Sequence, residues 1–555
     1  FDVVMLISRK FIYLLLVSLF IINCSNLFQP IVGADDAVLY ANVAKHMVMS
    51  NDWIGLFVKN QPWLDKPHFQ FWITALSFKI FGISSFSYIL PGLLFYFIGV
   101  IYTYKLGNLS YNQDVGLLSA VITLSSLHLM YSAGLDLRAE AYLIGLIMPA
   151  CYYWLRYDSI TKVSYLVLGS LFSACAIMTK GLFLLLPIFS GIIITWIYTK
   201  AWHKLYSLKW LFALALIAIF VLPEIICLYL QFDSHPELSV HAASNVSGIQ
   251  WFLYDSQIDR FFNNGVIVRS DGSFFYFIHT FLWAFLPWSF LFIIAVVASI
   301  KQFKQQSAIE KAKSIYIWSS FFCSFLIFSL AKFQLDHYIN IVFPFAAILC
   351  ANYISNSFAV RNISYLQMAI GIVLCLIAII GVIYLLGLTW ISTLAIIPIL
   401  LIFTNISAIR HSYHEQLILF PIIGVSSIFI LISIVNLKLV ATNDIGYNMA
   451  NYLNTVSAVR VYDLNYNDSN LELHFKGKYI LVNDKNNLPN SLAKDDYVAI
   501  SDGYYSSNMA YFINNKYVIA QRVCGGKLRN ILKFSQSKAY FQSMLNCDLL
   551  LQQNK

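Results

Sequence analysis

Long apolar runs separated by short polar stretches dominate this chain down to about residue 439. Crossing the roughly 30 Å hydrocarbon core of a bilayer takes about 20 apolar residues in a helix. By that measure, spans are predicted near 11–28, 86–104, 115–133, 140–155, 163–178, 182–198, 209–230, 275–300, 315–331, 337–354, 364–386, 389–409 and 416–438. That makes about thirteen. Arg9 and Lys10 precede the first run, and no A-x-A-type cleavage site follows it. The reading is a retained first helix, not a removed leader.

Past residue 439 the pattern changes. Strand-like alternation runs through 459–464, 471–482, 497–501 and 516–523, with Asn, Asp and Gly turns between. The expected fold is a polytopic all-α membrane domain, residues 1–439, followed by a small C-terminal α/β domain, residues 440–555. Two long loops, 29–85 and 231–274, fall on the same side as that domain.

Composition agrees. The chain is 59% hydrophobic and 11% charged, against about 25% charged for soluble domains, which excludes a soluble globular protein. The net charge of +9 is mostly a topology signal, because Lys and Arg gather on one set of loops. The positive-inside rule then puts the N-terminus in the cytoplasm and, with an odd number of spans, the C-terminal domain outside. Nothing points to nucleic acid. Seven of the nine cysteines lie in apolar spans as packing residues. Cys524 and Cys547 fall in the outer domain, where oxidising conditions permit a disulfide. No fixed-period or inverted repeat is visible, which counts against a secondary transporter.

The charge density of residues 34–72 is high for a loop bracketed by apolar segments. Asp35 and Asp36 precede a helical pattern over 37–49. One aspartate suffices as an N-cap, and the helix dipole favours the second as an anion, available as a base or electrostatic anchor. Asp65, Lys66 and Pro67 open a second helical stretch over 66–81, with Pro67 suited to its first turn. Lys66 is either a snorkelling lysine or a phosphate ligand. Asp136, Arg138 and Glu140 form a cluster that either pairs internally or lines a cavity, and Lys180 poses the same choice. Asp233, His235, Glu237 and His241 are residue types able to hold a divalent metal. Their spacing matches no metal signature, and a solvated loop is the competing reading. Trp251, Phe252, Tyr254, Phe261 and Phe262 read as an aromatic belt. Lys332 precedes His337, Tyr338 and Asn340, polar groups at membrane depth that suit a cavity wall.

The ordered series Asp36, Tyr40-Ala41, Met47, Asp52-Trp53, Asp65-Lys66-Pro67 and Phe71-Trp72 resembles the signature of the family 39/83 glycosyltransferases of the GT-C class. It is most similar to the bacterial 4-amino-4-deoxy-L-arabinose lipid A transferases, and more distantly to protein O-mannosyltransferases. Thr179-Lys180-Gly181, Arg260-Phe261-Phe262, Leu286-Pro287-Trp288 and Lys332…His337-Tyr338 extend the match over residues 10–350. The resemblance implies a GT-C fold in a bacterial inner membrane. It also implies transfer of a sugar from a polyprenyl (undecaprenyl) phosphate donor to lipid A or another envelope acceptor at the periplasmic face. Asp36 falls on the family's loop carboxylate, Asp65 and Lys66 on its acid–lysine pair, and Arg260 on a loop arginine facing phosphate. Asp36 and Asp65 are thus the catalytic candidates, and Lys66, Arg260 and Lys332 the donor-phosphate candidates. No cofactor is required by this reading; a divalent metal stays open. Leu39, Ala37 and His68 depart from the family pattern, where an arginine, a second acid and a second proline stand. The rival readings are a protein O-glycosyltransferase and a lipid or sugar transporter.

Overall fold

The computed structural model describes residues 7–33, 36–240, 243–265, 267–357, 360–386, 412–441, 443–489, 491–525 and 546–553. Asp35, His241 and the span expected at 389–409 lie outside the described residues.

The chain is a multi-pass membrane protein. Among the described residues, seven helices are long and apolar enough to cross a bilayer, or nine if two bent pairs each count as one span. The first bent pair is Gln113–Leu124 with Leu127–Gly134, angled at 61°, and the second is Tyr276–Ala284 with Ser289–Phe303, angled at 112°. These correspond to the single spans expected at 115–133 and 275–300. Pro287 has no N–H to continue a helix, and the two breaks meet the needs that each creates. Leu127 N donates to Leu286 O at 2.9 Å, and Trp288 Nε1 donates to Ser125 Oγ at 3.1 Å. Broken backbone survives in a membrane protein only where protein re-satisfies it in this way.

Two compact units emerge. One comprises residues 1–27, 64–73 and 89–432; the other comprises 28–63, 74–88 and 433–555. Most of the long loop 29–85 therefore belongs with the C-terminal residues, not with the membrane helices.

In the first unit, helices Ala139–Ser159 and Val163–Lys180 form an antiparallel hairpin, with Trp154 Nε1 donating to Ser173 Oγ at 2.9 Å. Gly145 lets helix Ser85–Ser110 approach closely, because a Cβ there would strike the Phe95 backbone carbonyl. Small residues serve this purpose at membrane helix contacts. Because the hairpin is antiparallel, the start of one helix and the end of the other, Glu140 and Lys180, come to the same level.

In the second unit, helix Asp36–Ser50 packs on helix Ser469–His474. Lys45 Nζ donates to the carbonyls of Glu472, Leu473 and Phe475 at 2.5, 3.1 and 2.8 Å. The ammonium thereby satisfies carbonyls left open at a helix C-terminus. A five-stranded sheet follows in the order Lys478–Val482, Arg460–Leu464, Asp496–Ser501, Asn546–Gln553, Tyr517–Gly525. The first three strands run parallel and the last two pair antiparallel. The strand expected over 471–482 begins only at Lys478. Asp468 caps the preceding stretch as a helix by accepting from Leu471 N at 2.8 Å. The strand Asn546–Gln553 was not anticipated, and it brings Cys547 directly opposite Cys524, where the two form a disulfide.

Candidate active site

The chemistry of the first unit converges on Asp65. Its carboxylate accepts from Lys66 Nζ at 2.8 Å and from the Arg260 guanidinium, which also reaches the Asp65 carbonyl at 3.4 Å. Burial pushes the Asp65 carboxyl up, but the charges and hydrogen bonds of Lys66 and Arg260 outweigh it and hold it far below the usual carboxylate range. The acid is thus an ionised clamp between two cations, and a bound proton has no place on it at neutral pH.

Lys180 stands close enough to feel the repulsion of both Lys66 and Arg260. It pairs with Glu140 and lies 3.8 Å from the centre of the Tyr338 ring. Gly181 makes this placement possible. Its φ is +119°, and the Gln257 amide occupies the space a Cβ would need. Gln257 belongs to helix Ser256–Phe262, which also carries Arg260. The Thr179-Lys180-Gly181 and Arg260-Phe261-Phe262 motifs are thus packed together. Among the described residues, three cations, Lys66, Arg260 and Lys180, and two carboxylates, Asp65 and Glu140, gather here in a buried setting. Arg260 stands between two small cavities of about 100 and 110 Å³. The first is lined by Lys180, Phe261, Phe333 and Tyr338, the second by Leu64, Trp251 and Asp259.

The other predicted residues distribute as follows. Asp136 and Arg138 pair with each other, Nε to Oδ2 at 2.7 Å. His337 lies beside Asp336, Nδ1 to Oδ1 at 3.2 Å. The Lys332 ammonium pairs with Asp271 at 3.2 Å, both side chains more than half exposed, while its backbone N donates to Phe261 O. Asp36 opens its helix in the second unit, where Tyr40 OH donates to it at 3.2 Å. Asp233 accepts from Ser247 and from Ile249 N, and His235 pairs with Glu237. Among the described residues, no group of three or more His, Cys, Asp or Glu is arranged to hold a metal ion. Phe252, expected in an aromatic belt, is fully buried.

One partner was missed. His68 and Glu224 are both wholly buried, with His68 Nδ1 2.9 Å from Glu224 Oε1 and His68 N donating to Oε2 at 3.0 Å. The signal was present in the sequence: a lone carboxylate in the apolar run Leu208–Leu228 demands a partner.

A family described as dolichyl-phosphate-mannose-protein mannosyltransferase matches residues 65–226. An uncharacterised protein of Aquifex aeolicus is 27% identical, over 65% of this chain and 66% of that protein. Undecaprenyl phosphate-alpha-4-amino-4-deoxy-L-arabinose arabinosyl transferase 2 of Proteus mirabilis is 25% identical, over 62% of this chain and 58% of that enzyme. The chain therefore spans less than two thirds of the length of these relatives. The crystal structure of ArnT from Cupriavidus metallidurans bound to undecaprenyl phosphate superposes with a TM-score of 0.71 over 98% of both chains, at 14% identity. The chain has the GT-C fold. Both parts predicted from sequence, the helical membrane domain and the C-terminal α/β domain, belong to this GT-C architecture. The family match begins at Asp65 and ends two residues past Glu224, so it encloses the acid–lysine pair, the Glu140–Lys180 pair and the His68–Glu224 pair.

Proposed function

We propose that this GT-C protein is an inverting glycosyltransferase that moves a sugar from a polyprenyl-phosphate donor to lipid A or another cell-envelope acceptor. The observation that carries this reading is the buried Asp65 carboxylate flanked by Lys66 and Arg260, with Lys180 nearby. In the proposed step the bond from the anomeric carbon to the donor phosphate oxygen breaks, and a bond to the acceptor oxygen forms from the opposite face. Negative charge collects on the leaving polyprenyl phosphate. Cations fixed beforehand at that point lower the barrier, because they need no reorganisation as the charge develops. Asp65 keeps both cations ordered before the donor arrives.

Asp36 is the proposed base for a hydroxyl acceptor, taking its proton as the new bond forms. An acceptor phosphate is already anionic and needs no base. Lys332 is proposed as a further donor-phosphate cation, and Asp136, Arg138, His337 and Tyr338 are proposed to line the reaction cavity. The relatives named as undecaprenyl-phosphate-linked arabinosyl transferases support the donor class. The gathering of Lys and Arg on one set of loops supports a cytoplasmic N-terminus and a periplasmic C-terminal domain in a bacterial inner membrane.

The test is transfer by purified protein in vesicles with polyprenyl-phosphate sugars, followed by identification of the labelled product. Lys66→Ala is expected to lower the rate about 100-fold or more with the protein still folded and inserted. Full activity in that variant would sink the assignment. Movement of substrate across the bilayer without a new glycosidic bond would favour a transporter instead.

A further inference from the structure

Glu224 is the only acid in the membrane helix Leu208–Leu228, and its side chain has no exposure. A carboxylate inside a membrane helix is costly and is retained where it does something. Both of its oxygens are spent on one residue, His68, through the ring Nδ1–H and the backbone N–H. His68 in turn opens helix Phe69–Phe81, its carbonyl accepting from Phe71 N at 2.8 Å and Trp72 N at 3.0 Å. Glu224 therefore supplies, from another helix, the carboxylate that usually caps a helix N-terminus.

The position of this anchor matters. Only Pro67 separates His68 from Lys66. Proline fixes its own φ and restricts the preceding residue, Lys66, to extended backbone. With His68 pinned at one end and Pro67 rigid, little freedom remains in the backbone that carries the Lys66 ammonium. We propose that Glu224 is a positioning residue: by anchoring His68 it sets where Lys66 stands against the donor phosphate. The inference rests on the glycosyl-transfer reading above for its kinetic consequence, not for its geometry.

Misplacing a catalytic group by about 1 Å can cost about 100-fold in rate. Glu224→Gln keeps the size of the side chain but turns one acceptor into an N–H₂ group facing a donor of His68. This variant is expected to lose about 10- to 100-fold in kcat with a donor KM within about threefold of wild type. Affinity for undecaprenyl phosphate should fall about tenfold alongside kcat, because that phosphate carries the charge that the leaving group acquires. His68→Asn retains a backbone N–H and a side-chain donor and should keep kcat within about threefold of wild type. His68→Pro removes the N–H and should behave like Glu224→Gln. Melting in detergent reports folding for every variant.

A folded Glu224→Gln protein with wild-type kcat and wild-type affinity for undecaprenyl phosphate would overturn the proposal. So would losses in all variants, His68→Asn included, that track only the loss of folded protein. A wild type that binds undecaprenyl phosphate but transfers nothing removes the transferase reading alone, and the anchor is then judged on that binding. A wild type that neither binds nor transfers removes both.

Discussion

Lys180 and Glu140 close an ion pair across the two ends of one helical hairpin. Both side chains are buried, and Glu140 Oε2 has no hydrogen-bond partner among the described residues. Each ion depends on the other, since an unpaired charge at this depth cannot recover its hydration. Removing one partner of such a pair costs about 3–5 kcal/mol. Lys180→Met and Glu140→Leu are each expected to lower the melting temperature of the detergent-solubilised protein markedly. The double variant Lys180→Met/Glu140→Leu should recover most of the loss. Additive losses in the double variant would show that the two residues act separately.

The second unit carries a pH dependence of its own. Burial pushes Glu472 up to about 7, with Lys59 and Lys45 acting in the opposite direction, and pushes Asp444 up to about 6. Both folded-state values exceed the ordinary carboxylate range of about 4. Between that range and pH 7 the folded form thus binds more protons than the unfolded one. The stabilisation is complete below about pH 4 and is lost as pH rises through about 6 to 7. Hydrogen exchange over residues 445–482 in the full chain should quicken between pH 5 and pH 7.5 beyond the intrinsic pH effect. Glu472→Gln should flatten the response. Slower exchange at the higher pH would contradict this assignment.

The disulfide joins directly opposed positions of neighbouring strands, 23 residues apart in sequence. Closing a loop of that size stabilises by about 3 kcal/mol in the chain-entropy account. Purified protein should show a mass consistent with no free thiol at Cys524 or Cys547. Cys524→Ala/Cys547→Ala should retain transfer and melt earlier. Unchanged melting would mean that the sheet holds its last two strands without the bond.

Much of the candidate site was legible in the sequence because its residues carry charge where charge is expensive. Asp65, Lys66, Glu140 and Lys180 stood out in this way and Arg260 through the family resemblance, and the structure brings them together. Glu224 carries the same signal but sits in the middle of an apolar run, where a search for spans absorbs it. His68 stood out only as a departure from the family's second proline. The relation between the two spans 156 residues, and no local pattern encodes it. Lys332 stood out by charge and spacing as a phosphate ligand, and its ammonium pairs with Asp271 on an exposed loop. In the C-terminal domain, alternation identified strands well. It overran at 471–476 because Asp468 imposes a helix that period-2 counting does not detect.

Lys45 donates to the Glu472 carbonyl 427 residues downstream, and the helix bearing it has its acceptors only at the far end of the polypeptide. At about 5–20 residues per second of synthesis, the earliest loop waits roughly a minute for them. Throughout that time Lys45 and the apolar face around it are without their final neighbours. The loop that holds Asp36 is thus among the first segments made and among the last to be finished. A nascent chain cut short after its membrane helices would be inserted but would leave the Lys45 ammonium without these carbonyls.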